Sequence, residues 1–191
     1  MPATDHTSGT TPGAPTPKAM VADSDWAVGK LVDAVSHSPF WKDTAIFTIE
    51  DDAQDGPDHV DAHRTLAHII SPYTQTGRVD STFYSSVSML RTIELILGIA
   101  PMTQFDAEAT PMLNSFTDHP NLTPYTALTP TTDMSAVNPA DAPLAQESAR
   151  MDFSRQDQAP PQLLNEAIWK SVKGADSRMP APVFGLAARK P

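Results

Sequence analysis

Acidic side chains and two histidines crowd into one short segment of this 191-residue chain. Between Glu50 and Asp61 there are six Asp or Glu and no Lys or Arg, and His59 and His63 lie in the same stretch. Crowded carboxylates repel one another unless protons or a cation neutralise them. Carboxylate and imidazole together suit a divalent metal ion. Residues 51–64, called the acidic loop below, therefore indicate a metal site, although a solvated acidic loop is the commoner explanation of any charge run.

The element before the acidic loop would position its first ligands. Residues 44–49 are apolar and β-branched without alternation, which predicts a buried strand. In open α/β sheets, ligands bind beyond the carboxyl ends of the strands. Asp51 and Asp52 are the strongest candidate metal ligands, because neighbouring residues at a strand end can reach one ion if the backbone turns there. Glu50 is either a supporting carboxylate or only the last strand residue.

The two histidines are four residues apart. That spacing puts His59 and His63 on one face if the segment is a helix beginning near Asp58. His59 has the stronger support, because Asp58 and Asp61 flank it and could orient its ring as supporting carboxylates. The alternative is that one histidine binds metal or phosphate while the other makes a hydrogen bond within the loop.

The surrounding pattern predicts an α/β fold. Apolar spacing predicts helices over 18–37, 83–97 and 163–172, and a second buried strand over 65–71 that would make His68 a core residue. Gly98 is expected to end the second helix, and the terminal helix is expected to pack on its own domain. Two strands alone do not form a stable sheet, so further strands are expected from elsewhere.

Four stretches of the chain resemble a known family. Residues 49–64, Ile-Glu-Asp-Asp-Ala-Gln-Asp-Gly-Pro-Asp-His-Val-Asp-Ala-His-Arg, and 70–73, Ile-Ser-Pro-Tyr, resemble the phosphoesterase family of bacterial phospholipases C and acid phosphatases. That family belongs to the alkaline-phosphatase superfamily. The segment Asp5-His6-Thr7 is similar to the family's Asn-Asp-His-Thr, with Thr4 where Asn is usual. Residues 81–118 resemble its closing helix and loop.

The resemblance implies a fold and an activity. Residues 1–119 would be the C-terminal part of the catalytic domain, a partial α/β/α sandwich. Beyond the resemblance, the composition of 120–191 predicts a Pro-rich, largely irregular extension with a short terminal helix. The activity would be metal-dependent hydrolysis of a phosphate mono- or diester, with zinc, manganese or calcium as the ion. Asp51 and Asp52 match the family's metal-binding pair.

The other candidate site residues are His59, His63, His6 and Arg64, of which His6 is supported by the resemblance alone. One or both of His59 and His63 would complete the metal ligands, and His6 would contact the phosphate or a metal. Hydroxyls and glycine amides in 7–10 could cradle the anion beside His6. Arg64 would either neutralise a bound phosphate or form a salt bridge to the acidic loop.

The family's Ser or Thr nucleophile and its early acidic ligand lie upstream of the matched segments. We therefore expect this chain to be a fragment of the catalytic domain that is inactive by itself. The alternative is a non-catalytic metal-binding or interaction polypeptide that completes a separately encoded N-terminal half.

Composition excludes several other classes. The net charge of −10 comes entirely from residues 1–120, which argues against binding to nucleic-acid backbones or anionic membrane surfaces. No apolar stretch is long enough for a membrane-spanning helix. The absence of cysteine excludes disulfides and thiolate metal sites.

Overall fold

The computed structural model describes residues 7–51, 56–58, 60–155 and 158–185. Contacts divide the chain into two units: unit 1 comprises Met1–Leu31, Asp51–Thr65 and Thr126–Pro191, and unit 2 comprises Val32–Glu50 and Leu66–Tyr125. The elements in the described residues are helices α1 (Pro17–Ser36), α2 (Ser86–Leu97), α3 (Gln104–Glu108), α4 (Ala145–Ala149) and α5 (Pro161–Lys173), strands β1 (Ile46–Ile49) and β2 (Ala67–Ile70), and single 3₁₀ turns at Trp41–Asp43 and Leu113–Ser115.

The sheet of unit 2 consists of β1 and β2, which pair antiparallel with Ile46 opposite Ile70 and Ile49 opposite Ala67. Both strands lie where the apolar runs predict them. Their predicted burial is wrong, because Ile49 is 43% exposed and Ala67 is also exposed. A two-stranded sheet has little to pack against on either face. Among the described residues, one aromatic contact on it joins the rings of Phe47 and Phe116, 6.5 Å apart.

The predicted core position of His68 is also wrong. His68 is exposed on β2, and its Nδ1 lies 3.0 Å from the Thr48 hydroxyl. Thr48 is the residue directly opposite His68 in the strand register. The imidazole is therefore part of a cross-strand polar pair on an open face rather than a buried side chain.

Helix α2 begins at a capping box. The Ser85 hydroxyl accepts a hydrogen bond from the Ser88 amide, and the Ser88 hydroxyl accepts one from the Ser85 amide. Gly98 ends the helix, as predicted. The buried face of α2 is partly polar, because Thr92 is only 2% exposed whereas Leu97 is 64% exposed. The Thr92 hydroxyl accepts from the Met112 amide, so the chain after α3 packs on this polar face.

In unit 1 the predicted irregular region is anchored by backbone hydrogen bonds. The Gly13 amide donates to the Asn138 carbonyl over 2.9 Å, and the Asn138 amide donates to the Ala14 carbonyl over 2.8 Å. The buried Asn138 side chain donates to the carbonyls of Gly9, Thr11 and Pro15. One asparagine thus holds the N-terminal loop against the extended segment around residue 138.

The terminal helix α5 packs within its own unit, as predicted. Ala167 and Leu164 are buried, and α5 contacts α4. None of the described helices combines the length and the apolar character needed to cross a bilayer.

Candidate functional site

The structure describes three of the six predicted site residues. Asp51, His63 and Arg64 are placed, whereas Asp52, His59 and His6 lie outside the described residues. Asp51 is exposed in a bend soon after β1. Within the described ranges, no group of three or more His, Asp or Glu side chains is arranged to hold a metal ion. The predicted metal site has four ligands, two of which, Asp52 and His59, lie outside the described residues. Their convergence on one ion therefore stays a prediction.

Asp58 organises the second half of the acidic loop. Its Oδ1 accepts hydrogen bonds from the amides of Val60 (2.6 Å) and Asp61 (3.2 Å), and its Oδ2 accepts one from Arg64 Nε (2.8 Å). The Val60 amide and then the Arg64 guanidinium lower the pKa of the Asp58 carboxyl to about 2. The described residues 60–64 form bends and turns, so they lack the helix that would put His59 and His63 on one face. An aspartate that binds the amides two and three residues ahead favours a turn instead.

For Arg64 the sequence predicts either neutralisation of a bound phosphate or a salt bridge to the acidic loop. The structure places its guanidinium in an ion pair with Asp58, with the Arg64 side chain about half exposed. This contact uses Nε. A guanidinium has further N–H donors, so the ion pair is compatible with a phosphate contact.

Asp61 and His63 form a second polar pair in the described part of the loop. Asp61 Oδ1 accepts a hydrogen bond from the His63 amide over 2.9 Å and lies 3.3 Å from His63 Nδ1. The amide of His63, followed by that of Gly185, lowers the pKa of the Asp61 carboxyl. The sequence predicts Asp61 as a supporting carboxylate for His59; the structure places it against His63. A carboxylate at one ring nitrogen is typical of histidines that bind metal through the other.

The C-terminal segment also contacts the acidic loop, a contact that the sequence analysis missed. The Ala62 amide donates to the Val183 carbonyl over 2.6 Å, and the Val183 amide donates to the Asp58 carbonyl over 3.2 Å. The rings of Phe184 and His63 are 5.9 Å apart in an edge-to-face arrangement. The one sequence signal for this contact is an apolar pair, Val183 and Phe184, in an otherwise irregular tail.

The amides of Gly9 and Thr10, which could take part in the predicted anion cradle, donate hydrogen bonds within the protein instead. The Gly9 amide donates to the Thr7 hydroxyl, and the Thr10 amide donates to the Ser148 hydroxyl, each over 3.1 Å. The Thr10 side chain is fully buried. These donors stabilise unit 1 and do not point to a ligand.

No model of a known protein family matches this chain, and no curated protein is similar to it. The resemblance to the phosphoesterase family therefore rests on the motifs of residues 49–64 and 70–73 and on the segments that flank them.

Proposed function

We propose that the acidic loop is the metal site of a metal-dependent hydrolase that acts on phosphate mono- or diesters. The observation that supports this best is the Asp61 carboxylate beside Nδ1 of His63. If Nδ1 carries the proton towards Asp61, Nε2 is the nitrogen with a lone pair for an ion. The His63 side chain is 62% exposed, so a ligand can approach it.

The proposed ligands are Asp51, Asp52, His59 and His63. A divalent ion held there would supply stabilisation of negative charge on phosphoryl oxygens and activation of a hydroxyl nucleophile. Asp58 holds the Arg64 guanidinium within the same loop, where it would offset the charge of a bound phosphate. The proposed scaffold is the partial α/β/α sandwich, of which β1 supplies the strand that leads into Asp51.

Metal titration tests the site directly. We expect weak binding of zinc, manganese or calcium, measured by isothermal titration calorimetry, and loss of binding in the double variant Asp51→Asn, Asp52→Asn. Removing two carboxylates from one ion removes most of its charge compensation. Removing groups that only orient the ligands typically weakens metal binding about 10–100-fold, and removing the ligands themselves weakens it more.

The matched control for that titration is the double variant Asp118→Asn, Asp176→Asn. Both residues are exposed and lie outside the acidic loop. Each double variant removes two carboxylates, so the two variants change the net charge equally. Equal metal binding by the wild type and both double variants would count against Asp51 and Asp52 as ligands.

The alternative function is a non-catalytic polypeptide that binds a protein partner. Unit 2 exposes a run of large apolar side chains from the end of α2 through α3: Leu95, Ile96, Leu97, Ile99, Met102 and Phe105. Extended apolar patches of this kind mark protein interaction sites in soluble proteins. A partner that supplied further strands to β1 and β2 would also cover the open sheet edges.

Hydrolysis of p-nitrophenyl phosphate and bis(p-nitrophenyl) phosphate tests whether the chain is an enzyme by itself. We expect the chain alone to stay at the background rate with each metal, because no three candidate ligands converge among the described residues. Displacing catalytic groups by about 1 Å can already cost about a hundredfold in rate. Metal-dependent turnover that disappears in Asp52→Asn would show instead that the chain is an enzyme by itself.

A further inference from the structure

We infer that residues 183–185, called the strap below, position the Asp61 carboxylate and the His63 ring for metal binding. The inference rests on the proposed function of the acidic loop and deepens it, because it assigns the C-terminal segment to the same site. The residues that support it are all described, and all lie within unit 1. Each residue of the strap makes a different kind of contact with the loop.

Val183 fixes the path of the loop backbone. Its carbonyl accepts a hydrogen bond from the Ala62 amide over 2.6 Å, and its amide donates to the Asp58 carbonyl over 3.2 Å. These two hydrogen bonds lie on either side of Asp61 in the sequence, and Ala62 is only 3% exposed. Because buried main-chain groups need a partner, the pairing holds the backbone of Asp61 beside the strap.

Gly185 orients the Asp61 carboxylate. Its amide donates to Asp61 Oδ2 over 2.7 Å. The other oxygen, Oδ1, accepts a hydrogen bond from the His63 amide over 2.9 Å and lies 3.3 Å from His63 Nδ1. A partial rotation of the carboxylate would therefore break hydrogen bonds at both of its oxygens. The Gly185 amide thus keeps one oxygen of Asp61 directed towards the imidazole.

Phe184 restrains the imidazole itself. The rings of Phe184 and His63 are 5.9 Å apart in an edge-to-face arrangement. The hydrogen bond that one ring nitrogen makes decides which nitrogen carries the proton. A carboxylate held beside Nδ1 favours the proton there, and Nε2 then has the lone pair that binds a metal ion. The strap is therefore expected to set the metal-binding nitrogen of His63 by acting through Asp61.

Two truncations compare chains with and without the strap. Ending the chain after Pro182 removes the strap, whereas ending it after Ala188 keeps the strap and is the matched control. Both truncations remove Arg189 and Lys190, so they change the net charge equally. Hydrogen exchange of the Ala62 amide, followed by nuclear magnetic resonance, reports whether the strap is docked. We expect protection in the full chain and in the control; an unprotected Ala62 amide in both would overturn the inference.

The protonated nitrogen of His63 separates positioning from a merely structural role. Nitrogen–proton correlation spectra at about pH 9, where an imidazole is neutral, distinguish the two tautomers. We expect the Nδ1–H form in the full chain and in the control, and a shift towards the Nε2–H form without the strap. Asp61→Ala, which removes the carboxylate and keeps the strap, should give the same shift. His37 is the internal control, because its Nδ1 lies 3.1 Å from Asp33 Oδ1 in unit 2 and its tautomer should not change.

Titration with zinc chloride, followed by calorimetry, measures the effect on the proposed site. We expect about 10–100-fold weaker binding without the strap, which is the usual loss when a group that orients a ligand is removed. The control should bind as the full chain does, and Phe184→Ala, which keeps the backbone contacts, should lose less.

The two readouts distinguish failure of the strap from failure of the metal site. An unchanged His63 tautomer after removal of the strap, or equal measurable zinc affinity in the two truncations, would overturn the positioning role. Absence of zinc binding from every chain, with the tautomer changing as expected, would instead overturn the proposed metal site and support the positioning of His63 by the strap.

Discussion

Gly9→Ala is expected to destabilise unit 1 by about 2–5 kcal/mol in chemical unfolding followed by circular dichroism. Gly9 has φ +60°, and a β-carbon there would lie 2.8 Å from Ser148 Oγ and 3.2 Å from Leu164 Cδ1. The left-handed conformation costs an alanine roughly 1–2 kcal/mol, and overpacking typically adds about 1–3 kcal/mol. Ser148 cannot easily move, because its hydroxyl is fully buried and bonded to Thr10.

Gly13→Ala is the control that isolates the backbone contribution. Gly13 also has a positive φ, +78°, but nothing lies within 4 Å of the position of its β-carbon. It should lose only about 1–2 kcal/mol. In a double-mutant cycle, Ser148→Ala should offset part of the Gly9→Ala loss, because it removes the closest atom. Equal losses at the two glycines, with no coupling to Ser148, would show that the contact at Gly9 is not tight.

The local elements of the fold follow closely from the sequence. The apolar spacing of residues 18–37 predicts α1 within one residue at each end, and the run at 44–49 contains β1. These signals are local, since they depend on periodicity and on stop residues such as Gly98. The burial of β1 and β2 is not local. It depends on what packs over them, and the periodicity of a short apolar run carries no information about that.

The candidate site also combines features that the local sequence predicts with contacts that it does not. The composition of the acidic loop predicts a metal site, whereas the described part of the loop shows the carboxylates of Asp58 and Asp61 bonded within the chain, which lowers their pKa. The partner of each carboxylate could not be predicted. Asp61 faces His63 because the chain turns after Asp58, and Gly185 reaches Asp61 across 124 positions of sequence. Neither a turn closed by side-chain hydrogen bonds nor a contact between residues so far apart produces a periodic pattern in the sequence, so neither could be predicted from it.

Asp106→Asn is expected to loosen the junction of α2 and α3 in unit 2 and to make its stability less dependent on pH in the acid range. Asp106 is 1% exposed, and its carboxylate accepts from the Met102 amide (2.6 Å), the Thr103 amide (2.8 Å) and the Thr103 hydroxyl. An asparagine has one acceptor oxygen and one NH₂ group, so a buried donor would lose its partner.

The direction of the pH effect follows from the carboxylate. The hydrogen bond from the Thr103 hydroxyl, with those from its neighbours, holds the pKa of Asp106 well below its unfolded value of 3.8. The stabilisation is therefore present above pH 3.8 and is lost as the pH falls below it towards the folded-state pKa. Hydrogen exchange of the α2 and α3 amides between pH 6 and pH 2, at roughly one-unit steps, measures this change. Glu108→Gln, at an exposed carboxylate of the same helix, should behave like the wild type. If Asp106→Asn keeps the wild-type protection and the wild-type slope with pH, the Asp106 carboxylate does not hold the start of α3.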